Sequence, residues 1–254
     1  MVIHHDSDGS VICIGQASHA WISGQLARHW GNDGFDRPEP FDEVCLGAEQ
    51  HDVGMAEWDL APKLNSNTGR PVSFMEMPLA THLELWSEAP RKVLTQSPYA
   101  ALLVSMHGHA LYERRDTGEP DSDDSIAVKR FVSDQEAFQR DLLDHLDEDP
   151  ARARHNQKLV WTLDFLSLAP LMGWVPDTVA APTRLGEPLA ELSVESAGVR
   201  RLTVDPWPFR DDEIEVRCHG RRLRDRYSDE ASMRSALAAA PWLTVRVALA
   251  RRAA

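Results

Sequence analysis

Histidine and aspartate recur inside the apolar stripes of successive helical segments, and a chain that buries such side chains must either bring them together or satisfy them one at a time. From about Ser18 to Trp30, His19, Ile22 and Leu26 recur at i, i+3 and i+7, with Ser18 placed to cap the segment. A second helix reads from Phe41 to Val53, entered from Pro38 and Pro40 and stopped by Gly54, with Val44, Ala48 and His51 on one stripe. Asp52 follows His51 near the helix end, where the macrodipole disfavours a carboxylate and a cation would compensate. Leu79, His82, Leu83 and Trp86 give a third helix, and Ser97-Pro98 opens a fourth whose stripe is Ala100, Leu103, Val104 and His107. A later helix from Ala151 to Leu168 places Asp164 among Val160, Leu163 and Leu168, where an unpaired carboxylate needs a hydrogen-bonding partner or a metal. One such histidine alone is more often a satisfied core residue than a ligand. One metal centre explains the whole set, and the competing explanation is core histidines that hold no metal.

The rest of the chain divides by periodicity. Val2 to His5 and Val11 to Ile14 flank Asp6-Ser7-Asp8-Gly9 as a β-hairpin. Residues 59 to 78 read as a loop by turn chemistry, with Lys63, Asn65, Asn67 and Arg70 able to face an anion or to be ordinary turn residues. The tract DTGEPDSDD, Asp116 to Asp124, reads as a charged surface loop, and a capping box at Ser133 to Glu136 as the start of a fifth helix reaching Leu146. After Pro170 strands are expected over Leu189 to Glu195, Val199 to Val204, Ile214 to Cys218 with a turn at His219-Gly220, and Leu243 to Leu249. Between the last two, Ser228 to Ala240 reads as a helix. The expected fold is mainly α: residues 1–175 form a helical metal-binding core with an N-terminal hairpin, and residues 176–254 a β-rich α+β region packed on it, as two domains or as a single one.

Formal net charge is −13 over 254 residues, which argues against binding a phosphate backbone, since counterion release needs clustered Lys and Arg. Cys13, Cys45 and Cys218 are odd in number and lack a C-x-x-C spacing, which suits a reducing, cytoplasmic setting. Neither a leader nor an apolar run of about 18 residues is evident, so no membrane partner is expected.

The ordered set His19, His51-Asp52, His82, His107, Asp164 resembles the HD-domain superfamily of metal-dependent phosphohydrolases, in the H…HD…H…H…D form of its dinuclear branch. That branch includes cyclic-dinucleotide phosphodiesterases and di-iron oxygenases. The stretches SHAWISGQLARHWG, EQHDVGMAEWD, TGRPVSFMEMPLATHLELW, SPYAALLVSMHG and DPWPF more closely resemble an uncharacterised bacterial domain of unknown function, which brings no activity with it. The superfamily resemblance implies an HD-like helical core holding one or two divalent ions, Fe, Mn, Zn or Ni. His19, His51 and Asp164 would bind the first, His82 and His107 the second, with Asp52 bridging and catalytic. A metal-bound hydroxide would then be the nucleophile. Many dinuclear relatives carry a lysine three residues after the HD aspartate, where this chain has Met55, and Arg70 is the candidate substitute cation. The H-H-x-x-x-x-G-Y-P motif of the cyclic-dinucleotide enzymes is absent.

The function expected on these grounds is hydrolysis of a small phosphorylated metabolite or nucleotide, so the partner would be a small anionic substrate rather than nucleic acid or a membrane. A homo-oligomer is compatible with it. The alternatives are a di-iron oxygenase using the same ligands and a ligand-binding module without turnover, which the Met55 departure keeps open.

Overall fold

Along Glu213–Leu223 buried residues alternate with exposed ones, the period of a strand with one covered face. It belongs to a computed structural model that describes residues 1–113, 119 and 121–252. In chain order the first half contains β1 (Val2–His5), β2 (Val11–Ile14), α1 (Gln16–His29), α2 (Phe41–Gln50), α3 (Ala56–Leu60), β3 (Leu64–Asn65), β4 (Arg70–Pro71), α4 (Leu79–Leu94) and α5 (Pro98–Tyr112). Then follow α6 (Asp123–Leu146), α7 (Pro150–Met172), β5 (Asp177–Ala181), β6 (Ala190–Gly198), β7 (Arg201–Asp205), β8 (Glu213–Leu223), α8 (Glu230–Ala239) and β9 (Trp242–Arg251).

The expectation of a mainly α, HD-like core is overturned: the chain is an α+β fold. Seven strands form one mixed sheet in the order β1-β2-β8-β9-β7-β6-β5, and β3-β4 make a separate two-stranded ladder. β7 and β9 run parallel, while the other pairs in the large sheet are antiparallel. The hairpin completes a sheet whose other strands come from the far end of the chain, with Cys13 opposite Arg221. Local periodicity cannot show that pairing, because its partners lie two hundred residues apart.

Several local signals resolve differently in three dimensions. His219-Gly220 is not a turn, because β8 runs through it. Gly220 is there for close approach: a Cβ would meet the Cys13 carbonyl at 2.9 Å and the Ile12 side chain at 2.7 Å. Ser18 does not cap α1. Its hydroxyl donates to the His219 carbonyl at 2.8 Å and accepts from the His219 amide at 2.9 Å, fastening the helix to β8. The capping box at Ser133 lies inside α6, which begins ten residues earlier behind Ser122. Residues 116–118 and 120 of the acidic tract lie outside the described residues, and its last two, Asp123 and Asp124, form the first turn of α6, where a helix dipole favours acids. α7 is capped by Asp149 and passes through Pro170 to Met172, beyond the end expected at Leu168.

One apolar core joins helices to sheet. Ile22 and Leu26 of α1, Val44 of α2, Leu103 of α5 and Leu163 of α7 share it with Val194, Val204, Val216 and Val247 of the strands. Two further ties set the helices that matter below. The Gln25 amide of α1 donates to the Arg217 carbonyl and accepts from the Arg217 amide. His4 of β1 donates from Nδ1 to the Leu171 carbonyl near the end of α7 at 2.7 Å. A second core, around Trp86, Met55 and Phe131, packs α4 against α5 and α6. Among the described residues no helix is long and apolar enough to cross a membrane.

Gly54 follows the His51-Asp52 pair and lies against α4, where a Cβ would stand 2.5 Å from the Leu85 carbonyl and 2.8 Å from Ala89 Cβ. Backbone cannot yield as a side chain can, so Gly54→Ala should cost about 1 to 3 kcal/mol, read as a lower urea midpoint at unchanged slope. The buried thiols make a second prediction. Burial pushes Cys13 and Cys218 up to about 12 and Cys45 up to about 11. All three should resist an aromatic disulfide reagent at pH 8 in the folded protein and react on unfolding, because only the thiolate attacks.

Candidate metal centre

Three helices and one helix end supply the groups. His19 comes from α1 and is fully buried. α2 stops at Gln50, so His51 is its C-terminal cap and Asp52 stands beyond it at φ −105°, ψ 15°, in the sparsely allowed bridge region. Leaving the helix removes Asp52 from the unfavourable end of the dipole and turns its carboxylate toward α1. His107 projects from α5 and Asp164 from α7. One ligand atom each of His19, His51 and Asp164 fall within 4.8 Å of one another, so these three could hold a metal ion.

The hydrogen bonds decide which nitrogens face the centre. His51 Nδ1 lies 2.8 Å from the Ala48 carbonyl, which only accepts, so Nδ1 carries the proton. Ser167 donates its hydroxyl proton to the Asp164 backbone carbonyl at 2.7 Å, and therefore accepts from His19 Nδ1 at 3.0 Å. With Nδ1 carrying a proton on each ring, it is Nε2 that faces inward, with a lone pair whenever no second proton is bound. Each lone pair meets a carboxylate oxygen: His51 Nε2 stands 3.2 Å from Asp164 Oδ1, and His19 Nε2 stands 2.6 Å from Asp52 Oδ2. Acceptor against acceptor is repulsive unless a proton or a cation lies between them.

A cation fits. Ligands about 2.1 Å from a divalent ion stand roughly 3.0 to 3.4 Å apart, which brackets the 3.2 Å from His51 to Asp164. Neither His51 Nε2 nor Asp164 Oδ1 makes a well-formed hydrogen bond although both are buried atoms. The outer partners, a main-chain carbonyl and a serine, are the kind that fix metal-binding imidazoles.

Electrostatics gives the same answer. Burial works against a charged His51, yet the Asp164 and Asp52 carboxylates outweigh it and push the ring up to about 9. A proton held there stands in the place of a cation. Asp52 and Asp164 are both held below the usual carboxylate range; burial opposes this, and the surrounding histidines, His51 first, overcome it. His107 goes the other way, pushed down to about 4 by burial and by His51, so it stays neutral.

His107 adjoins the three ligands without joining them by distance. Its Nε2 is 3.6 Å from Asp164 Oδ2, its ring 4.7 Å from that of His51, and its buried Nδ1 has no partner. His82 is not brought to the centre. It accepts from Trp86 Nε1 at 3.1 Å and bonds through Nδ1 to the Tyr112 hydroxyl, so both nitrogens are engaged one indole away from His107. Among the described residues His82 is not in the group whose ligand atoms converge. Arg70 is placed at the β4 end of the loop. Its guanidinium donates to the carbonyls of Leu223, Gly9 and Arg224, which ties β4 to β8. Met55, where relatives carry lysine, is buried in the Trp86 core.

Two contributors escape sequence reasoning. Gln16, the first residue of α1, donates from Nε2 to Asp52 Oδ2 at 3.1 Å while its buried Oε1 has no partner. Ser167 orients His19; its one signal in the sequence is its position three residues after Asp164, on the same helix face. Of the four inner groups only Asp164 is appreciably open, with 18% of its side chain exposed beside His107, and Trp161 flanks His107 at 5.6 Å.

The chain belongs to a family described as proteins of unknown function, DUF3891, whose profile matches residues 1–225. The match ends after β8, before α8 and β9. No curated protein and no solved structure matches the chain.

Purified protein should carry metal by elemental analysis, and His51→Ala should carry none. Ser167→Ala leaves every ligand in place but deprives His19 Nδ1 of its acceptor, and should weaken metal affinity by about 10- to 100-fold. His82→Gln should retain wild-type metal content. Loss of metal from that variant, with none from His51→Ala, would show that the ligand set has been misassigned.

Proposed function

We propose that this chain is a metal-dependent hydrolase of a small phosphorylated metabolite or nucleotide. The observation that carries the reading is the inward pair of Nε2 lone pairs facing two carboxylates, opened to solvent on the Asp164 side. A divalent ion bound there would lower the pKa of water and draw charge from a phosphoryl oxygen.

The chain's own residues have distinct parts. His19, His51 and Asp164 would hold the ion, and Ser167 and the Ala48 carbonyl keep the two rings turned toward it. Asp52, held ionised between His19 and Gln16, is the base that takes the proton of the attacking water. His107 is neutral, so one of its ring nitrogens can accept a bond from the substrate or complete the ligand set while the other donates. Asp164, partly exposed, marks the side from which a small anion enters, with Trp161 covering His107 there.

This reading includes kinship of the site with HD-type metal centres, supported by the order His19, His51-Asp52, Asp164 and by the convergence of these side chains. It does not extend to the surrounding fold. A two-metal oxygenase would draw on His82, whose nitrogens serve Trp86 and Tyr112.

Protein loaded separately with Mn, Zn, Fe or Ni should release phosphate from p-nitrophenyl phosphate or from nucleoside monophosphates. Asp52→Asn should lower kcat by about 10²- to 10⁴-fold while retaining metal. Metal-loaded protein that releases phosphate from no ester would overturn the hydrolase reading and leave a metal-binding module.

A further inference from the structure

A second cavity lies away from the metal centre, between the C-terminal end of α7, the β6-β7 turn, β1 and the β4 loop, with a volume of about 630 Å³. Volumes of that order hold a small organic ligand. Its walls are largely apolar, with Ile3, Pro170, Met172, Val175, Val199 and Leu202 among them. In a chain of net charge −13 its charged lining is unusual, since three arginines, Arg70, Arg200 and Arg201, face one acid, Glu76.

Three of these four charges are already engaged. Arg70 donates to main-chain carbonyls, and Arg201 pairs with Glu213 at 2.8 Å. Glu76 accepts from the Asn65 side chain and from the Ser73 amide. Arg200 differs: among the described residues neither it nor Arg70 has a carboxylate within ion-pair distance, but the Arg70 guanidinium is taken up by three carbonyls whereas that of Arg200 has a single side-chain partner. Its guanidinium instead donates to His4 Nε2 at 3.3 Å. His4 can accept there because its Nδ1 proton is given to the Leu171 carbonyl at 2.7 Å. The histidine therefore orients the guanidinium without neutralising it. Arg200 also occupies the left-handed region, at φ 54°, where asparagine or glycine would be less strained.

We propose that this cavity binds a monocarboxylate with an apolar body, its carboxylate on the Arg200 guanidinium and its hydrocarbon against the α7 end and the β6-β7 turn. One arginine with donors to spare matches one carboxylate, with two parallel donations to its two oxygens. A phosphate dianion would need further donors, and Arg70 and Arg201 have theirs committed.

Octanoate and octanamide are the probes, compared by titration calorimetry on the full chain. Octanoate should bind, octanamide at least about tenfold more weakly, and inorganic phosphate not measurably. Arg200→Asn keeps a residue that tolerates φ above zero, so the fold and its melting temperature should hold while octanoate binding falls at least about tenfold. Equal binding of octanoate and octanamide, no binding of octanoate, undiminished binding by Arg200→Asn, or saturable binding of phosphate at this cavity would each overturn the assignment. Metal content and phosphate release are read at different residues, so either proposal can fail without the other.

Discussion

Two imidazole lone pairs and two carboxylates converge in the interior of this protein, and the arrangement is tolerable only if positive charge lies among them. His19 and His51 cannot turn away, because Ser167 and the Ala48 carbonyl hold their Nδ1 protons. Asp52 cannot retreat to water, being buried, and Asp164 reaches solvent over only 18% of its side chain. Burial of four such groups would cost several kcal/mol each if they were left uncompensated. A proton on His51 answers that demand in one way, and an ion held by His19, His51 and Asp164 would answer it in another.

The sheet explains why the helices can hold this geometry. α1 is fixed to β8 through Ser18, Gln25 and the stacking of Trp21 on His219, and α7 is fixed to β1 through His4 and Leu171. These two helices carry His19 and Asp164, so the strands set the spacing of the ligands although none of the ligands lies on a strand. Chemistry of this kind belongs to the site rather than to the fold that surrounds it. Similarity in the order of the ligands can therefore stand beside an α+β architecture that a mainly helical expectation does not describe.

The helices were legible because apolar residues recur at helical spacing over long stretches, and their stripes placed His19, His51, His107 and Asp164 inward. The same reasoning placed His82 inward too, and there it met its limit. A stripe identifies the buried face of a helix but not the depth or rotation of a side chain along it, so the claim of Trp86 and Tyr112 on His82 could not be read. Signals for caps and turns failed where tertiary contacts took over the residue: Ser18 serves β8, Ser133 lies within a longer helix, and Gly220 admits the Cys13 carbonyl. Gln16 and Ser167 left almost no trace, since a polar residue that orients another differs in no way, by type, from a solvated one.

By itself the sequence determined where the long helices lie, though not all their bounds, and that histidines and aspartates sit on their apolar stripes, because each depends on neighbours within a few turns. The tertiary structure decided which of them meet. It closed the hairpin onto strands from the other end of the chain, engaged His82 with Trp86 and Tyr112, committed Arg70 to carbonyls, and set Arg200 against His4. Those outcomes depend on contacts between segments far apart in sequence, where the energy of a pairing belongs to neither partner alone.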